Sequence, residues 1–183
     1  MPQVEVFTPT GVVSGSTARA TVGSDTRGAP QAVIVDAGRW YPLDGAPPER
    51  KGAITIPADE ILVVILGSPN VTIHGSWYPI ELDLGPYHLE ARLPTAPGFD
   101  PARALARPTG AYVTVRDVSI SLPGRPDAGI AERSWAHVNR YAVERVASNL
   151  MLGFFFPGAT LEPFHDRAGG LPVAMAARRA QPA

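Results

Sequence analysis

"AERSWAHVNRYAVERVASNLML", residues 131 to 152, decides how this chain is read. The stretch holds no glycine and no proline. Trp135, Val138, Ala142, Val146 and Leu150 recur at helical spacing, and Arg140 lies four residues before Glu144. Taken alone it reads as a helix. The competing reading is two strands, "SWAHVN" and "VERVAS", joined at "RYA". The rest of the chain has to choose between them.

The neighbouring sequence favours strands. In "WYPIELDL" Ile80, Leu82 and Leu84 share one face, with Glu81 and Asp83 on the other. After Gly85-Pro86 the parity flips, and Tyr87, Leu89, Ala91 and Leu93 oppose His88, Glu90 and Arg92. A second flip falls at Arg116-Asp117 in "AYVTVRDVSISL", where Val113 and Val115 give way to Val118, Ile120 and Leu122. A flip in a period of two needs a turn, a bulge or a kink. Between the two lies "FDPARALAR", where Asp100 caps and Pro101 opens a helix of one or two turns.

Upstream, "VEVF" (4–7) and "QAVIVDA" (31–37) read as strands. "DGAPPERKG" (44–52) reads as a turn or loop. Ile54 and Ile56 alternate around Thr55, and Ile61 to Leu66 form an apolar run of strand length. With 18 glycines and 20 prolines in 183 residues, long helices are cut short and many short strands are favoured.

An offset of 82 lays Ile54 over Ala136, Ile56 over Val138, Ile61 over Val143 and Val64 over Val146. Upstream, Gly11 falls over Gly85, and "RWYPLDGA" falls roughly over "AYVTVRDV". This suggests a duplicated plan, and it makes 131–152 two strands. A helix through Tyr141 and Val146 would count against it.

The second copy resembles small bacterial Sm-like (SH3-like) barrel domains. Gly85, Tyr87, Glu90, Leu93, Tyr112, Val115, Asp117, Val138, Asn139, Arg140, Val143 and Val146 carry the resemblance, over about 75 residues. It implies a mainly β fold: two small barrel-like units in tandem at 1–70 and 76–150, with one short helix, and an apolar segment and tail at 151–183. The tail from about 166 reads as mobile or partner-dependent.

Bulk composition narrows the function. Hydrophobic residues make up 45% and charged residues 18%, enough for a packed core. The net charge is −1, so no basic excess points to a polyanion. Residues 77–148 carry 8 basic and 8 acidic groups. With no cysteine, disulfides and thiolate metal sites are excluded. No signal peptide and no apolar run of spanning length is visible, so a soluble cytoplasmic protein with no membrane span is expected.

The sequence nominates no catalytic, cofactor-binding or metal-ligating residue. His74, His88, His137 and His165 share no metal-ligand spacing, and His165-Asp166 is the one adjacent His–carboxylate pair. "GVVSGSTARATVGSDTRG" could cradle an anion, but such a stretch is more often a hairpin and loop. In "NLMLGFFFPGA", Leu152, Phe154, Phe155 and Phe156 are candidates for a partner interface; the bland alternative is a strand that plugs the core. Because Sm-like barrels often bind RNA, Trp135, Asn139, Arg140 and Tyr141 are the candidates for RNA contact.

The expected function is a non-catalytic binding or assembly module, as a homo-oligomer or docked on a protein partner. An RNA-binding Sm-like protein comes second, with nucleic acid possible but not favoured. An enzyme of unrecognised type comes third.

Overall fold

The computed structural model describes residues 1–18, 32–66, 76–94 and 110–164. The expected helix at 99–107, His74, His165-Asp166, most of the Gly/Ser/Thr-rich stretch and the tail from 166 lie outside them.

The described residues are mainly β and form one open sheet. Among the described residues no helix reaches seven residues. None is long and apolar enough to cross a membrane. The strands are β1 (Gln3–Thr8), β2 (Gly11–Ser16), β3 (Val33–Pro42), β4 (Glu49–Arg50), β5 (Ile54–Ile56), β6 (Val63–Leu66), β7 (Trp77–Leu84), β8 (Tyr87–Pro94), β9 (Tyr112–Ser121), β10 (Ala131–Asn139), β11 (Arg145–Ala147) and β12 (Thr160–Glu162). Their order across the sheet is β12-β11-β7-β8-β9-β10-β6-β1-β2-β3-β4, and β5 also pairs with β3.

The deciding stretch forms strands. β10 runs to Asn139, a tight turn follows in which Ala142 N–H donates to the Asn139 carbonyl at 3.1 Å, and β11 begins at Arg145. Helical spacing failed as a guide because β10 puts Ala136 and Val138 in the core, while Val143 and Val146 reach the same core from beyond the turn.

The two parity flips have different causes. At Gly85-Pro86 the chain makes a two-residue hairpin, with Leu84 opposite Tyr87 and Gly85 at φ +51°. Glycine tolerates that left-handed backbone without a Cβ clash. At Asp117 the strand continues, but φ is +51°, and the register against β8 shifts by one residue between Glu90↔Ser119 and Arg92↔Arg116, while the register against β10 is unchanged. That is a bulge, and it re-aims everything beyond it. Ala37 in β3 has the same backbone, at φ +50°.

"DGAPPERKG" is not wholly loop. Glu49 and Arg50 pair with Trp40 and Arg39 as β4. Lys51 N–H donates to the Gly38 carbonyl at 2.8 Å, and β5 then pairs with the start of β3 in the same register.

Two apolar cores lie on opposite faces of the middle of the sheet. One gathers Val4, Val6, Val13, Val35, Ile56, Ile61, Val64 and Leu66. The other gathers the inward residues of β7 to β11, together with Phe7 of β1, Val63 of β6 and Leu62 just before it. β1 and β6 therefore bury side chains on both faces, which explains the unbroken apolar run over 61–66. Tyr87 ties the halves together. Its ring meets Phe7 edge-on at 5.4 Å, and its hydroxyl donates to the Thr8 carbonyl at 3.0 Å. Burial pushes its pKa well above the usual tyrosine value.

Candidate interaction surfaces

Backbone alternation turns one row of side chains outward from the second half. Arg92 lies opposite Arg116, and Arg116 lies opposite Trp135. The Arg116 guanidinium sits over the Trp77 ring at 3.6 Å, and Trp77 meets Trp135 edge-on at 5.7 Å. Such stacking holds a cation against an aromatic face. Asp117, aimed by its bulge, lies 3.2 Å from Arg116 Nε and 3.9 Å from Arg92 Nε. An open cavity of about 470 Å³ adjoins it, lined by Asp117, Val118, Ser119, Glu132, Arg133 and Ser134. Arg133 itself is occupied: it grips both oxygens of Glu5 at 2.7 and 2.9 Å, joining β10 to β1.

A second polar group lies where β7, β8 and β11 meet. Asp83 accepts from Arg145 on one oxygen and lies 2.6 Å from His88 Nδ1 on the other. Arg145 also bonds Glu162 of β12 at 3.0 Å. Partial burial alone would raise the Asp83 pKa, but the hydrogen bonds and charges of Arg145 and His88 outweigh it and hold the carboxyl below its ordinary 3.8. A carboxyl depressed on folding stabilises the fold above its unfolded pKa, and the benefit goes as pH falls through the folded value. Asp83→Asn should therefore be less stable than the native chain at neutral pH, and the gap should close as the pH falls from about 4 through the lowered value. Urea midpoints across that range test this, and a constant gap would remove Asp83 as the cause.

His137 sits against Thr114, 3.1 Å from Nδ1 to Oγ1, and burial lowers its pKa. A histidine kept neutral by folding works against the fold as pH drops below its unfolded value. Among the described residues no group of three His, Asp or Glu side chains is placed to hold a metal ion.

The expected interface segment divides. Leu152 and Phe156 are core residues, 0% and 1% exposed. Phe155 packs partly against the same core. Of the four, only Phe154 is exposed; Met151 and Leu161 are exposed too. Leu152 and Phe156 turn inward because the core of the second half is open at the end of β11, and the segment after it folds back to fill the gap.

The four proposed RNA contacts divide as well. Asn139 is buried: its side-chain amide donates to the Ile61 carbonyl at 2.9 Å and its oxygen accepts from Tyr141 N–H at 3.1 Å. Arg140 is also buried, and its guanidinium donates to the Phe155 carbonyl at 2.7 Å and to that of Phe154. Both side chains bond protein carbonyls. Tyr141 is exposed, and Trp135 is half-buried against Trp77.

Sequence reasoning missed Trp77, Arg92 and Arg116 as a group. Arg92 was legible on the polar parity of its strand. That Trp77 and Trp135 meet depends on a register across three strand pairs, which no local pattern encodes. It also missed the ends of the sheet. β4 and β5 form one edge and β12 the other, with Thr55, Ile34 and all of β12 exposed. Comparison with family models, with curated proteins and with solved structures gave no match.

Proposed function

We propose that this chain is a non-catalytic assembly module, built from two Sm-like, SH3-like units in tandem, that self-associates through the edges of its sheet. The observation that carries the reading is the joint between the halves. β6 pairs antiparallel with β10, with His137 opposite Val64 and Val138 opposite Val63. The chain thus already uses strand-edge pairing to join one unit to the next. An unpaired strand edge is a template for another strand.

The tandem reading draws support from matching detail. In each half four strands run as a meander, β4 and β5 together making the fourth in the first half, and a further strand pairs with the first: β6 with β1, β11 with β7. Leu62 N–H donates to the Phe7 carbonyl at 2.9 Å, and Glu144 N–H, 82 residues on, donates to that of Asp83 at 2.9 Å. Glu60 N–H donates to the Pro57 carbonyl at 3.1 Å, the counterpart of Ala142 with Asn139. The positive-φ residues Ala37 and Asp117 stand at the same place before the fourth strand. Upstream, the registers replace the simple overlay. Gly11 corresponds to Tyr87 rather than Gly85, and "YVTVRDV" corresponds to residues 32–38, not to "RWYPLDGA".

On this plan β5 is the counterpart of β10, and its outer edge is free among the described residues. Thr55 corresponds to His137, and the half-exposed Ile34 to Thr114. In the second half those positions lie along the joint. Pro57 lacks an N–H, which leaves Thr55 as the outward donor of β5. The full chain should therefore gain mass with concentration in light scattering, and Thr55→Pro should suppress the gain at least tenfold while Thr55→Val does not. A mass that stays monomeric at every concentration would overturn self-association.

A further inference from the structure

We infer that β12 is a built-in cap, lying on the edge of β11 where β5 of a second copy would otherwise pair. The inference rests on the assembly reading above and adds a control to it.

β11 is to the second half what β6 is to the first. On the outer side of β6, the Leu62 carbonyl accepts from Asn139 N–H of β10 at 2.9 Å. The corresponding carbonyl beside β11 belongs to Glu144, and it accepts from Thr160 N–H of β12 at 2.8 Å. The same backbone acceptor is thus taken by a neighbouring unit at one joint and by the chain's own later segment at the other. The partner that fits the second edge is the strand that corresponds to β10, which is β5 of another copy; there Pro57 stands in the place of Asn139 and brings no N–H to the Glu144 carbonyl, so the Thr55 N–H is the donor on which the pairing depends.

The cap is lightly held. β12 has three residues and buries none of them. It runs parallel to β11, with Arg145 opposite Thr160 and Ala147 opposite Glu162, whereas β10 meets β6 antiparallel. Parallel pairing is slightly weaker per residue. Beyond the ladder, Ser148 N–H donates to the Glu162 carbonyl at 3.0 Å, and Arg145 holds the Glu162 carboxylate. The chain just before β12 is fixed separately, by Phe156 in the core and by Arg140 on the carbonyls of Phe154 and Phe155. β12 can therefore leave β11 without unplugging the core.

The test uses the full chain carrying Thr160→Pro and Glu162→Lys together. The first removes the N–H that Glu144 accepts, and the second sets a positive charge against Arg145. Circular dichroism confirms that the fold persists. Sedimentation equilibrium then compares the native chain, the double variant, and the double variant with Thr55→Pro added. The expected result is self-association at least tenfold tighter in the double variant, lost again when Thr55→Pro is added. If the native chain and the double variant associate equally, the cap is overturned while assembly stands. If tightening survives Thr55→Pro, β5 is the wrong partner strand and the inference fails. If none of the three associates, both the cap and the assembly reading fail. If the double variant does not fold, the single Glu162→Lys variant takes its place, with a smaller gain expected and no gain overturning the cap.

Discussion

Phe156→Ala is expected to destabilise the protein by about 3–5 kcal/mol, the usual cost of deleting a buried phenylalanine ring. Phe156 is 1% exposed and packs in the core with Leu150, Leu152, Val143 and Val146. A turn delivers it there: Phe155 and Phe156 N–H both donate to the Leu152 carbonyl, at 2.9 and 3.1 Å, and Ala159 N–H closes onto the Phe156 carbonyl at 3.3 Å. These bonds fix the backbone around the ring, so the site cannot collapse easily when the ring is gone. For a chain of this length the melting temperature should drop by roughly 10 °C. Phe154→Ala is the control, because Phe154 is 42% exposed, and its change should stay within about 1 kcal/mol. Calorimetry of the two variants decides the matter; equal drops would mean that the segment does not enter the core as described. The same logic makes a chain cut after Ser148 a poor probe of assembly. It loses Leu150, Leu152 and Phe156 together, and with them part of the core.

Arg140→Ala should cost about 2–4 kcal/mol, since hydrogen bonds from a charged donor are worth more than neutral ones and their loss strands buried acceptors. The guanidinium reaches the carbonyls of Phe154 and Phe155, with that of Gly110 at 3.5 Å. It therefore clamps the turn after β10 to the segment that carries Phe156. Arg140→Lys should recover little, because an ammonium cannot reproduce the planar fork. Urea unfolding of both variants reads this directly. The outcome that would reverse the assignment is an Arg140→Ala protein of native stability that has lost affinity for RNA. The residue would then be a contact group and not a clamp.

These two residues show what local sequence could and could not convey. "GFFFP" announces apolar surface that must go somewhere. It does not say that Phe156 turns in while Phe154 turns out, because a turn has no fixed period. Arg140 follows a strand and precedes a tyrosine, which is also how a nucleic-acid contact looks. Its burial depends on a segment fifteen residues later that folds back over it. Among the described residues of that half, Arg133 and Arg145 are held in pairs with Glu5 and Asp83.

By itself the sequence indicated most of the strands, though not β4 or β12. Period-two alternation, glycine and proline punctuation and β-branched runs fix which short pieces extend, because those preferences act between adjacent residues. It also favoured two strands over a helix within 131–152, through the offset of 82 to residues 54–64, but did not decide between them; β10 and β11 do. Tertiary structure alone decided the rest. It chose the Asp117 bulge over a turn, put β6 against β10, gave the apolar run at 61–66 two cores to fill, and laid β12 on β11. Each of these is a pairing between residues far apart in the chain. Its energy depends on register and on burial from both sides, and no window of neighbouring residues contains that information.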